Sequence, residues 1–210
     1  NITFIPNEHE KDLIAFDTGP GNALVDRLIK QRTQGRESMD TDGQYGLKGR
    51  VHPPTLKALY QSAVRKNNGN YLGRLPPKSL DIGDLQLVPE LEALSLEDAC
   101  ATLEAFTADV IISSLDLVAL SQSPQWILAG GGWHNPVILR ELKQRLNKKF
   151  KKTPLIQTAD EAGWNSQGME AQIFAYLAVR SLQNKPLSLP NITGVAVPLT
   201  GGQIHFSEKS

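Results

Sequence analysis

Cysteine is nearly absent from these 210 residues. Cys100 stands alone, so the chain can form no internal disulfide and no cysteine-built zinc site. Its place in an apolar helical stripe marks a buried thiol rather than a nucleophile, and the scarcity suits a reducing cytoplasm. Histidine is sparse too. His9, His52, His134 and His205 are scattered, with no carboxylate at ligand spacing, so no metal site is expected from them. No apolar run approaches the ~20 residues of a membrane span, and no secretory signal is visible. Net charge is also lacking. Lys+Arg and Asp+Glu both number 22, which removes the electrostatic case for nucleic acid or an anionic membrane as partner. No Gly-Lys-Ser/Thr closes a phosphate loop, and neither G-x-G-x-x-G nor the G-x-S-x-G elbow occurs.

What remains is a globular composition, 40% hydrophobic and 21% charged, at the length of one domain or one large lobe. Strands are expected over 1–5 and 11–16, joined by a polar turn at 6–10. The chain opens on Asn1-Ile2-Thr3-Phe4-Ile5 with no initiator methionine, so preceding sequence is expected. A helix over 22–34 sets Ala23, Leu24, Leu28 and Ile29 on one face. Residues 35–52 read as an irregular loop. Asp40-Thr41-Asp42-Gly43 resembles the start of a calcium loop, but Val51 stands where a closing glutamate belongs. Pro53 and Pro54 open a helix with Leu56, Leu59, Tyr60 and Val64 facing inward, and 67–94 is again loop-rich.

Ser95 reads as an N-cap with Asp98 three residues on. The helix behind it carries Ala99, Leu103, Phe106, Val110, Ile111, Leu115 and Val118 to about residue 120, the length of a central buried element. A strand over 125–129 and a helix over 135–146 follow, with the lysine run at 148–152 as a solvated helix end. A strand at 154–156, a turn at 159–163 and an amphipathic helix over 167–183 come next. That last helix is expected to bury Ala171, Phe174, Ala175, Leu177 and Ala178. Segments 195–199 and 203–206 read as a hairpin around Thr200-Gly201-Gly202. Short strands feeding helices give an α/β layer architecture.

Two glycine turns carry the chemistry. Phe16-Asp17-Thr18-Gly19-Pro20-Gly21-Asn22 follows the apolar Leu13-Ile14-Ala15. Gly130-Gly131-Gly132-Trp133-His134-Asn135 follows Trp126-Ile127-Leu128-Ala129. Both run from strand into helix, where ligands of α/β folds bind. Glycines let backbone N–H groups approach an anion, and a helix N-terminus adds its dipole. Asp17 beside such a turn could take a proton from a nucleophile, or it could be an ordinary Asx-turn aspartate. The triple-glycine turn is either a phosphate-side loop or a tight connection capped by Asn135. His134 reads as a surface turn residue, and Glu170 as a helix-start carboxylate favoured by the dipole.

Taken in order, these segments resemble the anhydro-N-acetylmuramic acid kinases. The resemblance runs through 16–22, Asp42-Gly43, Gly46, Gly49-Arg50-Val51 and Pro76-Pro77-Lys78-Ser79. It continues through 102–113, Leu128-Ala129 with the triple-glycine turn, Glu170-Ala171, Phe174-Ala175-Tyr176-Leu177-Ala178 and Leu189-Pro190-Asn191-Ile192-Thr193-Gly194. It implies a lobe of the actin-like, sugar-kinase/Hsp70-type ATPase fold, with helices packed on a mixed sheet. Residues 1–12 would end a preceding N-terminal lobe, and 13–210 would form the C-terminal nucleotide-binding lobe.

The implied activity opens the 1,6-anhydro ring with ATP and water, giving N-acetylmuramic acid 6-phosphate in peptidoglycan recycling. The implied cofactors are ATP and Mg²⁺. The implied partners are the sugar and the missing N-terminal lobe, with a homodimer as a further option. Asp17 would be the general base and Glu170 would face the sugar. Gly19, Gly21, Asn22, Gly130, Gly131, Gly132 and Asn135 would line the nucleotide, with no protein-held metal assigned. The chain departs from the family pattern in lacking the first Gly-Thr-Ser-x-Asp-Gly phosphate loop. It also departs in the run Leu80-Asp81-Ile82-Gly83-Asp84 and in Trp133, which replaces a small residue. A non-catalytic nucleotide-binding lobe and another sugar kinase of the same fold are the alternatives.

Overall fold

Helix α3, Leu96–Ser114, is the axis on which the other elements are arranged in the computed structural model, which describes residues 1–5, 13–66, 71–81, 83–118 and 125–205. Ser95 caps it as its sequence predicts, its Oγ accepting from the Asp98 N–H at 3.0 Å. From Ala99 to Ala108 every residue is buried. A helix buried all round needs neighbours on several sides. α1 (Ala23–Arg32) and α2 (Pro53–Lys66) pack on one flank, and α4 (Pro136–Lys149) on the other.

The core is accordingly double. Leu24, Leu28, Ile29, Leu59, Leu103 and Phe106 form one cluster, where the Phe106 and Tyr60 rings meet edge to face at 5.2 Å. Ala108, Leu115, Trp126, Leu128, Leu142 and Leu146 form the second. Cys100 is fully buried, and burial raises its thiol pKa, so it is an inert core residue. An ionic network bolts the helices together. Arg145 of α4 donates to Asp109 of α3 at 2.8 Å, and Tyr60 of α2 donates to the same carboxylate at 2.8 Å.

The strands are short. β1 (Ile2–Phe4) pairs antiparallel with β2 (Ile14–Phe16), and β3 (Trp126–Leu128) pairs parallel with β4 (Ile156–Thr158). Among the described residues these are two separate two-stranded pieces rather than the single mixed sheet expected. The α/β character stands. β4 begins two residues later than its apolar run suggests. Pro154 has no N–H to give a ladder, and the register aligns Trp126 with Ile156.

Three further expectations need correction. α5 (Met169–Leu182) was expected to bury one face, but none of its residues is buried. Phe174 is 66% exposed, and its apolar side chains find no packed partner element among the described residues. The hairpin around Thr200-Gly201-Gly202 does not form either. Leu199 spends its backbone groups on Leu187 and Ser188, leaving 200–205 without a strand partner. α3 also stops sooner than the expected residue 120: it ends at Ser114, Leu115–Leu117 tighten into a 3₁₀ turn and Val118 is extended. The turn at 6–10, the Val64 side chain, His9 and Phe206 lie outside the described residues.

Phe106 and Phe174 therefore differ in energetic weight. Phe106→Ala should lower the unfolding free energy of this chain by about 3–5 kcal/mol. Phe174→Ala should change it by less than about 0.5 kcal/mol. Urea denaturation of the two variants checks both values.

Candidate active site

β2 delivers Asp17 to the first glycine turn, and a separate loop then holds it there. The Asp17 N–H donates to the Lys78 carbonyl at 3.1 Å, and the Tyr71 hydroxyl donates to the Asp17 carbonyl at 2.9 Å. The Leu80 N–H donates to Asp17 Oδ2 at 2.9 Å. The carboxylate is thus oriented by main chain, and the departure at 80–84 leaves that contact available, because it uses no side chain. Lys78 anchors the clamp. It is buried, and its Nζ donates to the Tyr71 and Leu72 carbonyls at 3.1 and 3.2 Å and lies 4.7 Å from the Tyr71 ring centre. Burial, aided by nearby Arg74, lowers its pKa to about 8. Burial, aided by the Asp17 charge, raises the Tyr71 phenol pKa.

Asp17 opens onto a cavity of about 310 Å³ lined by Thr3, Phe16, Lys78, Ser79 and Ile192 among others. Ile192 comes from the short helix α6 (Pro190–Thr193), which packs against β2. This gives the Leu189-Pro190-Asn191-Ile192-Thr193-Gly194 motif a place, as one wall of the Asp17 cavity. A cavity of about 320 Å³ between α1 and the 87–92 segment lies away from both glycine turns. Arg32 at its edge is bound to the Leu91 and Leu94 carbonyls.

Both glycine turns are seated on α3. A Cβ on Gly19 would fall 2.2 Å from Val110 Cγ2, so only glycine lets the first turn lie this close to the helix. Thr107 Oγ1 donates to the Gly21 carbonyl at 2.7 Å. In the second turn Gly130 takes φ 93°, ψ 163°, a region essentially reserved for glycine. Asn135 then caps α4, its Oδ1 accepting from the Val137 and Ile138 N–H groups at 2.9 and 3.4 Å. Its Nδ2 donates to Glu104 Oε1 of α3 at 2.6 Å. Glu104, Thr107 and Val110 are three residues apart, one stripe of one helix.

The turns are also neighbours of each other. A Cβ on Gly132 would lie 3.6 Å from Asn22 Nδ2. A Cβ on Gly131 would meet nothing within 4 Å, so its face is open to a ligand. Trp133 does not project into that space. Its Nε1 donates back to the Ala129 carbonyl at 3.1 Å, and its ring packs on the second core cluster. His134 is exposed, as expected.

Asp17, Gly19, Gly21 and Asn22 therefore share one turn, and Gly130, Gly131, Gly132 and Asn135 share its neighbour. Glu170 stands apart. It is exposed in the first turn of α5, and no described contact joins it to Asp17 or to either glycine turn. Sequence reasoning missed Tyr71, Lys78, Thr107 and Glu104. A signal existed for the last two, because a charged or polar residue in an otherwise apolar helix must find a buried partner. Among the described residues no group of three His, Cys, Asp or Glu side chains could hold a metal, and no helix is long and apolar enough to cross a membrane. Mg²⁺ can instead be held chiefly by substrate phosphates and water, with one or two carboxylates.

Comparison with known proteins gives the family. The family model described as anhydro-N-acetylmuramic acid kinase matches residues 1–207. The chain is 43% identical over 205 residues to the anhydro-N-acetylmuramic acid kinase of Phenylobacterium zucineum, covering 97% of this chain and 50% of that protein. It is 41% identical to the Caulobacter vibrioides protein of the same name, over 97% of this chain and 50% of the relative. For Zymomonas mobilis the identity is 40%, over 98% and 52%. The chain spans about half the length of the curated relatives it matches. A family match over nearly the whole chain, on a site with both glycine turns in place, means that the chain belongs to the anhydro-N-acetylmuramic acid kinase family.

Proposed function

We propose that this chain is the nucleotide-binding half of an ATP-dependent kinase acting on 1,6-anhydro-N-acetylmuramic acid. The observation that carries the reading is Asp17, held by three hydrogen bonds, two of them to main-chain groups of the 78–80 loop, at the head of a glycine turn that adjoins a second one. The fold we assign is a lobe of the actin-like ATPase type, spanning 13–210, with 1–12 ending a preceding lobe.

The γ-phosphate of ATP lies between the two turns, against backbone N–H groups and the N-termini of α1 and α4. Gly19, Gly21, Asn22, Gly130, Gly131, Gly132 and Asn135 form that surface. Mg²⁺ carried on the nucleotide phosphates would offset their charge. Asp17 is the general base. It takes a proton from water as the water oxygen bonds to C1 of the sugar. The C1–O6 bond breaks, and O6 accepts the γ-phosphoryl group. The products are N-acetylmuramic acid 6-phosphate and ADP. Glu170 faces the sugar once α5 is docked.

The half of the relatives' length that this chain does not span is our candidate for what docks α5. An apolar helix with no buried residue is unfavourable in water, and a second lobe would cover it. In the complete protein Phe174→Ala should then cost about 2 kcal/mol or more in stability, against almost nothing in this chain alone. Comparing the two denaturation shifts checks this.

Gly131 tests the nucleotide surface. A Cβ added at Gly131 meets no protein atom within 4 Å, so Gly131→Val should leave folding intact while blocking phosphate approach. Calorimetric titration with a non-hydrolysable ATP analogue should show affinity falling at least tenfold. Unchanged affinity would place the nucleotide elsewhere.

Asp17 tests the chemistry. A positioned base is worth typically ~10²–10⁴-fold in rate, about 3–5 kcal/mol of barrier. Asp17→Asn can still accept the Leu80 N–H but cannot take the proton. In the complete protein kcat should fall by at least about 100-fold with KM little changed. Retention of kcat within a few-fold would return Asp17 to the role of a turn residue.

A further inference from the structure

Glu104 is a carboxylic acid with no exposure to water, buried at the meeting point of three segments. One oxygen, Oε1, accepts from Asn135 Nδ2. The other, Oε2, is buried and receives no hydrogen bond from any described donor. It presses on the turn at 40–46, where a Cβ on Gly46 would fall 1.8 Å from it. Asp40, itself buried, meets the same residue, its Oδ2 accepting from the Gly46 N–H, so the two carboxyl groups converge on Gly46.

Both Asp40 oxygens are already engaged as acceptors. Oδ1 accepts from the Tyr45 N–H and Oδ2 from the Gly46 N–H, each at 2.9 Å. Two carboxyl groups can hydrogen-bond only through a proton. Two backbone amides donate to Asp40 and no described donor reaches Glu104 Oε2, so a proton held between the two belongs on Glu104.

We propose that Glu104 is a positioning residue whose neutral carboxylic acid ties the 40–46 turn to Asn135, and so holds the 130–135 turn in the shape that receives the nucleotide. Nothing in the phosphoryl-transfer scheme uses Glu104, and it touches no reacting atom. It acts through Asn135, which caps α4 directly behind the triple glycine. The nucleotide part of the inference rests on the function proposed above, whereas the tie between the two turns does not.

Ionisation would break the tie by setting two carboxylates against each other. Burial, reinforced by Asp40, raises the Glu104 pKa to about 8, while the Asn135 hydrogen bond and Arg140 act in the opposite direction. The charged or titratable groups facing it among the described residues are Asp40 on the turn, Arg140 on α4 and Cys100 on α3 itself, whose thiol stays protonated. The folded protein keeps this proton to about pH 8, whereas an unfolded glutamate releases it near pH 4.5. In that window the folded state holds more protons, so stability falls as pH rises.

The test compares the complete protein with its Glu104→Gln variant from pH 6 to pH 9.5, by melting temperature and by calorimetric affinity for a non-hydrolysable ATP analogue. Glutamine supplies the acceptor for Asn135 and a donor for Asp40 at every pH. The wild-type melting temperature should fall as pH rises to about 8 and level off above it, a component that the variant lacks. Wild-type nucleotide affinity should drop about tenfold per pH unit above 8, and the variant should keep its neutral-pH affinity. Identical melting profiles for the two proteins, or loss of affinity in the variant at pH 7, would overturn the proposal. Divergent melting profiles with no nucleotide binding in either protein would support the tie and sink the nucleotide reading instead. If the variant does not fold, a ¹³C carboxyl titration of wild-type Glu104 decides. A midpoint near 8 supports the proposal, and a midpoint below 5 overturns it.

Discussion

One buried helix imposes the main constraint on this structure. α3 is enclosed on every side from Ala99 to Ala108, so each polar group along it had to be matched when the chain folded. The matches are the site. Thr102 Oγ1 accepts from the His52 N–H, Asp98 from the Arg50 N–H, Thr107 donates to Gly21, and Glu104 meets Asn135. The two glycine turns are far apart in sequence and adjacent in space because α3 gives both a seat. A helix held this firmly is a rigid mount, and rigid mounting matters where a misplacement of ~1 Å can cost ~100-fold in rate.

Charge is arranged around the two turns with similar economy. Asp17 is oriented by backbone groups, and Lys78 is occupied by the Tyr71 and Leu72 carbonyls. The positive potential for an anion therefore comes from backbone amides and helix ends. Under the proposed function, this is how a chain with no net charge and no Walker lysine would receive a phosphate. The Asp109–Arg145–Glu141 network lies between α3 and α4, where it fixes helix packing.

Much of this was legible in the sequence. The Ser95 cap, the α3 periodicity, the Asn135 cap and the strand-turn-helix units follow from local rules and appear where those rules place them. The reach of β4, the fate of 195–205 and the exposure of α5 were not legible, because each depends on pairing or packing with distant chain. Leu199 shows the point: its own neighbourhood allows the expected strand, and bonds to Leu187 and Ser188 decide otherwise. At Pro154 the missing N–H adds a local reason to the register with β3. Within the site, the glycines and Asp17 announced themselves by type and order. The clamp of Tyr71, Lys78 and Leu80 did not, since two of its three bonds to Asp17 use main-chain groups. Glu104 was visible as a charged residue in an apolar stripe, but its partners lie 31 and 64 positions away in sequence.

The central claim is that two turns seated on one helix receive one nucleotide. Amide hydrogen exchange of the complete protein, with and without a non-hydrolysable ATP analogue and Mg²⁺, tests it most directly. The account predicts added protection at 19–23 and 130–137 together, with little change in the 87–92 segment. Protection confined to a single turn, or centred on 87–92, would contradict it.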